Sequence, residues 1–342
     1  RYNMAMNLTA KITDRFKVSG KVSHNIFDYK SPTKRGDGDL CGSVGKYYPE
    51  LNIYQPLMTE ADDPIPNTPT ENQASFLFSG GSTTTSRRTS IFSISPEFTI
   101  IPNELVIKAD LSLTPITFKK EVTSPRQGRV SASWEELEYR WATENTGNIT
   151  KSTTDRYAIN LYANYTKTFA NAHNISALVG VNQEKKDYSQ SYIALVNMLD
   201  PYILNPELVE DKTKNTSTVD NHTVTARAIF GRLMYDYKSR YLFEFDIRYD
   251  GSSRFPKANR FQTYPTFSLG WRISEEKFML RTRDWLDNLK IRGSWGELGS
   301  QPDEEYGYQS FFESENAYYY FNGDRFGVGI KPPKIPSPRL TW

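Results

Sequence analysis

Polar and apolar positions alternate along most of this chain. Over residues 241–250, Tyr241, Phe243, Phe245, Ile247 and Tyr249 fall on one parity, with Glu244, Asp246, Arg248 and Asp250 on the other. A period of two predicts a strand. Its apolar parity has tyrosine at both ends and wholly apolar side chains between. That order suits a strand with lipid at its middle and a membrane–water interface at each end. The charged parity has to meet water. Just upstream, Ile229, Gly231, Leu233, Tyr235 and Tyr237 alternate with Phe230, Arg232, Met234, Asp236 and Lys238, and Lys238-Ser239-Arg240 joins the two runs as a tight hairpin.

The pattern recurs in pairs. Met4, Met6, Leu8, Ala10 and Ile12 turn through Thr13-Asp14-Arg15 into Phe16, Val18, Gly20 and Val22. Phe92, Ile94, Pro96, Phe98 and Ile100 turn through residues 101–104 into Leu105, Ile107, Ala109, Leu111 and Leu113. Pro96 donates no ladder bond, which predicts a bulge or local edge there. Tyr157, Ile159, Leu161, Ala163 and Tyr165 turn through residues 169–172 into Ile175, Ala177, Val179 and Val181. Later, Phe267, Leu269, Trp271 and Ile273 lead through residues 274–288 to Leu289, Ile291, Gly293 and Trp295. In that connection Ser274 is expected to cap a short helix with Glu275 and Glu276 in its first turn.

Between the pairs lie stretches rich in Gly, Pro, Asn, Asp, Ser and Thr, at about residues 28–88, 117–153, 188–222 and 300–338. Within the second of these, residues 134–141 suggest one or two helical turns. Short and long connections therefore alternate along the first seven, and two of medium length, after Asp250 and after Ile273, precede a last long one. Loops this long count against a compact soluble domain, whereas outer-membrane barrels pair short periplasmic turns with long external loops. About ten strands of roughly ten to thirteen residues follow, close to what a tilted strand needs to cross a bilayer. A soluble sandwich or propeller alternates too, but with strands nearer five or six residues and no such rhythm.

Composition narrows the choice. Lysine plus arginine (42) nearly cancel aspartate plus glutamate (40), so no basic footprint for nucleic acid is present. Aromatics make up 14% of the chain, including 22 tyrosines, against a negative mean hydropathy. That balance fits strands with one polar face. No apolar run approaches the roughly 20 residues of a membrane helix, and barrel strands show only alternation. The chain opens at Arg1 inside a strand-like run without a signal peptide and reads as an internal piece of a longer protein.

The succession RYDGSSRF, FSLGWRISEEKF and WLDNLKIRGSWGELGS, with RYNMAMNLTAKITDRFKVSGKVS at the start, resembles the barrel of SusC/RagA-type TonB-dependent outer-membrane transporters. The likeness is dense over residues 230–299 and lighter over 1–24. It implies an all-β transmembrane antiparallel barrel, of which residues 1–342 supply about ten of about twenty-two strands. The plug domain, the TonB-contacting segment and the closing strands would lie elsewhere, and Pro338-Arg339-Leu340-Thr341-Trp342 is similar to the start of a further strand. The resemblance further implies import of an oligosaccharide or a peptide across the outer membrane of a Gram-negative bacterium. A SusD-like surface lipoprotein would cover the barrel, and the TonB complex would pull on the plug. A non-transporting surface or adhesive barrel and a soluble all-β domain are the rival readings.

No nucleophile-elbow, zinc-ligand or phosphate-loop motif is visible, so neither an enzyme nor a cofactor is expected. His24, His173 and His222 sit in different hairpins, which argues against a shared metal site. Arg35-Gly36-Asp37-Gly38-Asp39 lacks the full spacing of a calcium loop. Cys41, the single cysteine, cannot form a disulfide within the residues given and either pairs with a cysteine outside them or is a free thiol. The DGSSRF segment reads as a turn in which Arg254 meets a neighbouring carboxylate. Charged parities such as Glu244, Asp246, Arg248, Lys290 and Arg292 are expected to line a wet interior. Loop aromatics either pack the loops together or offer flat rings to sugars, peptides or a partner surface. Trp134, Trp141, Tyr318, Tyr319, Tyr320 and Phe321 are the candidates for substrate or partner contact.

Overall fold

The computed structural model describes residues 1–32, 81–130, 137–142, 144–282, 284–302, 306–310, 312–315, 319–321, 324–326, 329–331, 337 and 339–342. Its strands are β1 (Tyr2–Lys11), β2 (Phe16–Pro32), β3 (Ser82–Ile101), β4 (Leu105–Ser124), β5 (Gln127–Val130), β6 (Leu137–Ala142), β7 (Thr146–Phe169) and β8 (His173–Val196). They continue with β9 (Thr216–Tyr237), β10 (Tyr241–Ser252), β11 (Phe261–Arg272), β12 (Lys290–Gly296), β13 (Glu313–Glu315), β14 (Tyr319–Phe321), β15 (Asp324–Phe326) and β16 (Gly329–Lys331). Ten of them form one antiparallel sheet in the order β1-β2-β3-β4-β7-β8-β9-β10-β11-β12, each main strand beside its sequence neighbour. Among the described residues β1 and β12 are the two edges and do not meet, so the sheet is an open wall.

Turn chemistry sets the hairpins. Ala170 and Asn171 between β7 and β8 have φ of 47° and 54°, and Lys238 and Ser239 between β9 and β10 have 49° and 55°. Two successive residues of positive φ match the right-handed strand twist and permit a two-residue turn. Asp236 Oδ1 accepts the Ser239 N–H at 2.5 Å and helps to hold the second turn. All the short turns lie at one end of the sheet. The connection through residues 273–289, longer than the others at that end, lies with them, whereas the β4–β7 and β8–β9 connections and the DGSSRF segment lie at the other end.

Several strands exceed the expected length. β7 and β8 have 24 residues each and β9 has 22, and β4 and β7 pair from Leu105↔Tyr165 to Ser124↔Thr146 without a break. Threonine and serine carry the ladder through stretches that have no apolar alternation, because backbone pairing needs no apolar face. Two local expectations are corrected as well. The β2–β3 register runs unbroken through Pro96, and the irregularity falls between Thr99 and Ile101 in the β3–β4 pair. A missing N–H drops one rung without inserting a residue. Residues 137–142 form β6, antiparallel to β5, where helical turns were expected; a helix that short is marginal unless something packs against it.

The register places side chains in rungs that cross the sheet. Val22, Phe92, Leu113 and Tyr157 make one apolar rung, which becomes Lys185 and Thr225 on β8 and β9. Nearer the short turns, Tyr165, Ala177, Leu233, Phe245, Phe267 and Trp295 make another. The apolar band thus drifts along the strands as it crosses the sheet, which is the mark of strands tilted against it. On β10 it runs from Tyr241 to Tyr249 and on β11 from Phe261 to Trp271, about what a tilted strand needs to cross a bilayer, whereas β12 is only seven residues long. Most of its large side chains are exposed, Leu269 to 62% and Val179 to 61%.

Beyond the band, on the long-connection side, a true core appears. Leu195, Met198 and Val209 are buried to within a few per cent and pack with Ile193 and Leu204, while Met198 and Val209 form a bridge across the β8–β9 connection. Asn145 ties this knot to the β4–β7 connection: its Oδ1 accepts the Arg126 N–H at 2.8 Å, and its Nδ2 donates to the Met198 carbonyl at 2.9 Å. Gly147 makes room, since a Cβ there would stand 2.3 Å from Leu204 Cδ2 and 2.9 Å from Met198 Sδ. Gly147→Val should therefore open the knot at a cost of about 1–3 kcal/mol. Amide exchange should rise across residues 197–215 while strands 229–250 keep their protection.

Candidate functional site

The face opposite the apolar band is polar and hydrogen-bonded from strand to strand. Lys108 Nζ lies 2.8 Å from Glu97, with Lys17 4.0 Å away on the other side. Ser95 Oγ donates to Asp110 at 2.6 Å, and Asn182 Nδ2 donates to Asn160 at 2.7 Å. Arg232 Nε meets Asp246 at 2.5 Å and Glu244 at 3.4 Å. Arg248 holds Asp250 through two bonds, of 2.8 and 3.1 Å, and lies 5.7 Å from the centre of the Phe230 ring. Phe230 fits there because its rung neighbour is Gly180, where a Cβ would come within 2.6 Å of the ring. These pairs are part-exposed, and each contributes no more than about 1 kcal/mol. Together they neutralise a wall that apolar side chains would leave unwetted.

The DGSSRF segment makes a second buried centre, at the long-connection end. Phe255 is fully buried, its ring 4.5 Å from that of Trp342, and Tyr264 meets Trp342 edge-on at 5.9 Å. Trp342 Nε1 donates to the Arg260 carbonyl at 3.0 Å, and Ser252 Oγ donates to Gln301 at 3.1 Å. The Arg254 guanidinium donates to the Pro302 carbonyl, a backbone oxygen where a carboxylate was expected. Ser253 bonds the β9 backbone at Thr225 in both directions, at 2.9 and 3.0 Å. The segment therefore folds the later chain across the polar face and has a structural role.

At the short-turn end, rings mark the interface. Tyr241 and Trp271 are cross-strand partners on the apolar face, and both donate to Glu276, the phenol at 2.7 Å and the indole at 3.2 Å. Arg240 approaches the same carboxylate at 3.5 Å. These bonds hold the Glu276 carboxyl below the ordinary glutamate range, the Tyr241 hydroxyl contributing most. Ser274, by contrast, is no cap: it is the middle residue of a 3-10 turn that starts directly after the strand, with Arg272 at the cap position making no side-chain cap bond, and its side chain is buried. The turn begins one residue earlier than expected, which carries Ser274 inside it.

Of the expected contact aromatics, Trp134 and Tyr318 lie outside the described residues, as do Cys41, Phe311 and residues 33–80. Trp141 falls in β6, and Tyr319, Tyr320 and Phe321 form β14, paired with β15. The structure does not bring these two groups together in one sheet. The histidines have separate partners: His24 with Ser90 at 2.8 Å, His173 with Tyr235 at 2.7 Å, and His222 stacked on Tyr188 at 4.6 Å. Glu276 and Asn145 were not singled out by the alternation, because each lies outside a strand. A carboxylate just past a Tyr- and Trp-bearing hairpin was the available signal for the first.

No family model matches the chain. Among curated proteins it is 33% identical over 185 residues to the TonB-dependent receptor SusC of Bacteroides thetaiotaomicron, covering 54% of this chain and 18% of that protein. A TonB-dependent receptor of Formosa agariphila is 31% identical over 184 residues, or 53% of this chain and 17% of that one. Among solved structures, the RagAB peptide transporter superposes with a TM-score of 0.76 over 99% of this chain and 36% of its own, at 16% identity. The same importer in a closed-closed state gives 0.77 over 100% and 36%, at 15% identity. The fold is therefore a transmembrane antiparallel β-barrel wall of the TonB-dependent kind, and the matched relatives are receptors, not enzymes. Within that class, the chain is similar over about half of its length to SusC and other TonB-dependent receptors, and it spans under a fifth of the length of those curated relatives and about a third of that of the solved structures it matches.

Glu276 offers a test of the interface anchor. Because its folded pKa is depressed, its contribution is present at neutral pH and is lost as pH falls through that folded value. Glu276→Gln should lower the unfolding temperature at pH 7 and flatten its fall in acid. Heat-dependent gel mobility of the full-length barrel checks this; an unchanged acid profile would count against the anchor.

Proposed function

We propose that the full-length protein imports large nutrients across the outer membrane of a Gram-negative bacterium, with oligosaccharides or peptides as the candidate substrates. One observation carries the reading: exposed apolar side chains on one parity back a hydrogen-bonded polar parity, strand after strand, through a ten-stranded antiparallel sheet. The apolar parity then contacts outer-membrane lipid and the polar parity lines the interior. The regions around 28–88, 117–153, 188–222 and 300–338 are external, and the extensions of β7, β8 and β9 carry the wall beyond the membrane. A plug would fill the interior and reach the TonB complex, while a SusD-like lipoprotein would cover the external mouth. Trp134, Trp141, Tyr318, Tyr319, Tyr320 and Phe321 belong to the external side and are proposed to contact substrate or that lipoprotein. The RagAB neighbour, described as a peptide transporter, supports import as the activity.

The test of import is uptake by cells carrying the full-length protein, with and without a functional TonB complex. Accumulation of a nutrient that stops when TonB is removed is expected, together with co-purification of a surface lipoprotein. Growth and uptake indifferent to the protein would leave a surface barrel without transport. Orientation has its own test. Phe245→Lys, at the middle of the apolar band, should cost about 2–4 kcal/mol in urea-dependent folding into bilayers, while Glu244→Lys on the opposite face should cost far less. Equal costs would show that the charged parity does not face water.

A further inference from the structure

Carboxylates at the short-turn end of the sheet are held in two ways. Lys11 meets Asp14 at 2.7 Å and Lys167 meets Glu104 at 3.0 Å, each acid taken up by a single ammonium. Glu276 is held differently. Its Oε1 accepts both ring donors, Tyr241 and Trp271, whereas Oε2 has only the Arg240 guanidinium, at 3.5 Å, the limit of a hydrogen bond. Each carboxylate oxygen offers about two lone pairs, so Oε2 has room for a closer donor. Arg240 makes no other side-chain bond among the described residues, which leaves most of its N–H groups unused. An acid and a base thus stand side by side, half-buried, each with bonding capacity to spare.

The surroundings are apolar on one side and wet on the other. From the Tyr241–Trp271 rung a groove of about 540 Å³ runs along the apolar face, lined by Tyr235, Phe243, Leu269 and Ile291. The connection that follows Glu276 leaves Phe278 and Trp285 largely exposed, and tryptophan exposed just past a strand end is typical of the headgroup level of a membrane. The groove therefore takes an acyl chain, and the acid–base pair stands where that chain's headgroup lies. A carboxylate beside a guanidinium is complementary to a headgroup in which an ammonium and a phosphate are joined by a short methylene bridge. A purely anionic headgroup would satisfy Arg240 and be repelled by Glu276. A primary ammonium also donates a charge-assisted hydrogen bond to Oε2, and the Tyr241 and Trp271 rings favour a cation beside them.

We propose that Glu276, Arg240 and the adjoining groove bind a phospholipid with an ethanolamine headgroup in the periplasmic leaflet, its ammonium on Glu276 and its phosphate on Arg240. The inference rests on the import reading for which face meets lipid and which end is periplasmic, and it adds a specific lipid to that reading. Its test is lipid retention by the purified full-length protein. The protein is placed in bilayer discs of equal parts phosphatidylethanolamine and phosphatidylglycerol with matched chains, released into mild detergent and weighed by native mass spectrometry. The ethanolamine lipid should be retained about three- to tenfold over the glycerol lipid. Glu276→Gln should bring the two to equality. Leu269→Trp, which fills the groove and leaves the charged pair in place, should cut retention of the ethanolamine lipid. Heat-dependent gel mobility checks that each variant is folded, and Leu269→Trp carries the test if Glu276→Gln does not fold. Equal retention of both lipids by the unaltered protein, retention of neither, a preference that survives Glu276→Gln, or retention indifferent to Leu269→Trp would overturn the proposal. Lipid retention needs no TonB, so TonB-dependent uptake by a protein without this preference strikes the inference alone. The preference without uptake strikes only the import reading.

Discussion

Lipid supplies no hydrogen-bond partner to a peptide group, and the rest of the structure follows from that lack. Each N–H and C=O within the bilayer must find its partner on a neighbouring strand, since leaving one unmade costs several kcal/mol. Hence the ladder from β1 to β12 runs without crossovers, and each main strand lies beside its sequence neighbour. The ladder also tolerates local strain at its ends. Ala170, Lys238 and Ser239 adopt the left-handed conformation at a steric cost, because a two-residue turn returns the chain in register.

With the backbone satisfied, the two faces are free to answer to different solvents. The apolar face needs no internal packing, which is why its large side chains are exposed while the buried residues lie beyond the band. The polar face spends its charges on one another in part-exposed pairs that stabilise little individually but keep a wet wall neutral. At the boundary, Tyr241 and Trp271 keep their rings in the band and turn their polar atoms to Glu276. Outside the bilayer, water competes for the backbone and the ladder alone no longer suffices. The chain there builds small apolar knots, at Met198 and at Phe255, as a soluble protein does.

This division also sets what each part of a strand presents. Within the band the polar parity is bonded from strand to strand, as in Lys108–Glu97 and Arg232–Asp246. Beyond it the extended strands present charged and hydroxyl side chains on both faces, Arg156 and Lys186 on one, Lys185 and Asp187 on the other. Long strands hold those side chains more rigidly than loops do, because both neighbours fix each rung.

The alternation over residues 241–250 and its repeats determined much by themselves: the strand pairs, their opposed faces, the tight turns at 14, 103, 171 and 239, and the number of main strands, about ten, whereas that these form an open wall followed only from the resemblance. They did so because a lipid face and a water face impose period two on every strand that separates them. The tertiary structure decided what that period does not encode. Above the bilayer both faces of a strand are wet, so alternation stops while pairing continues, and β4, β7, β8 and β9 run well past their apolar stretches. Residues 137–142 pair as a strand because β5 lies beside them, a long-range event that local periodicity does not record. The same holds for Glu276, whose role depends on two rings brought to it by a hairpin, and for Arg156 and Lys186. They are thirty positions apart in the chain and face one another only because the β7–β8 register places them on one rung.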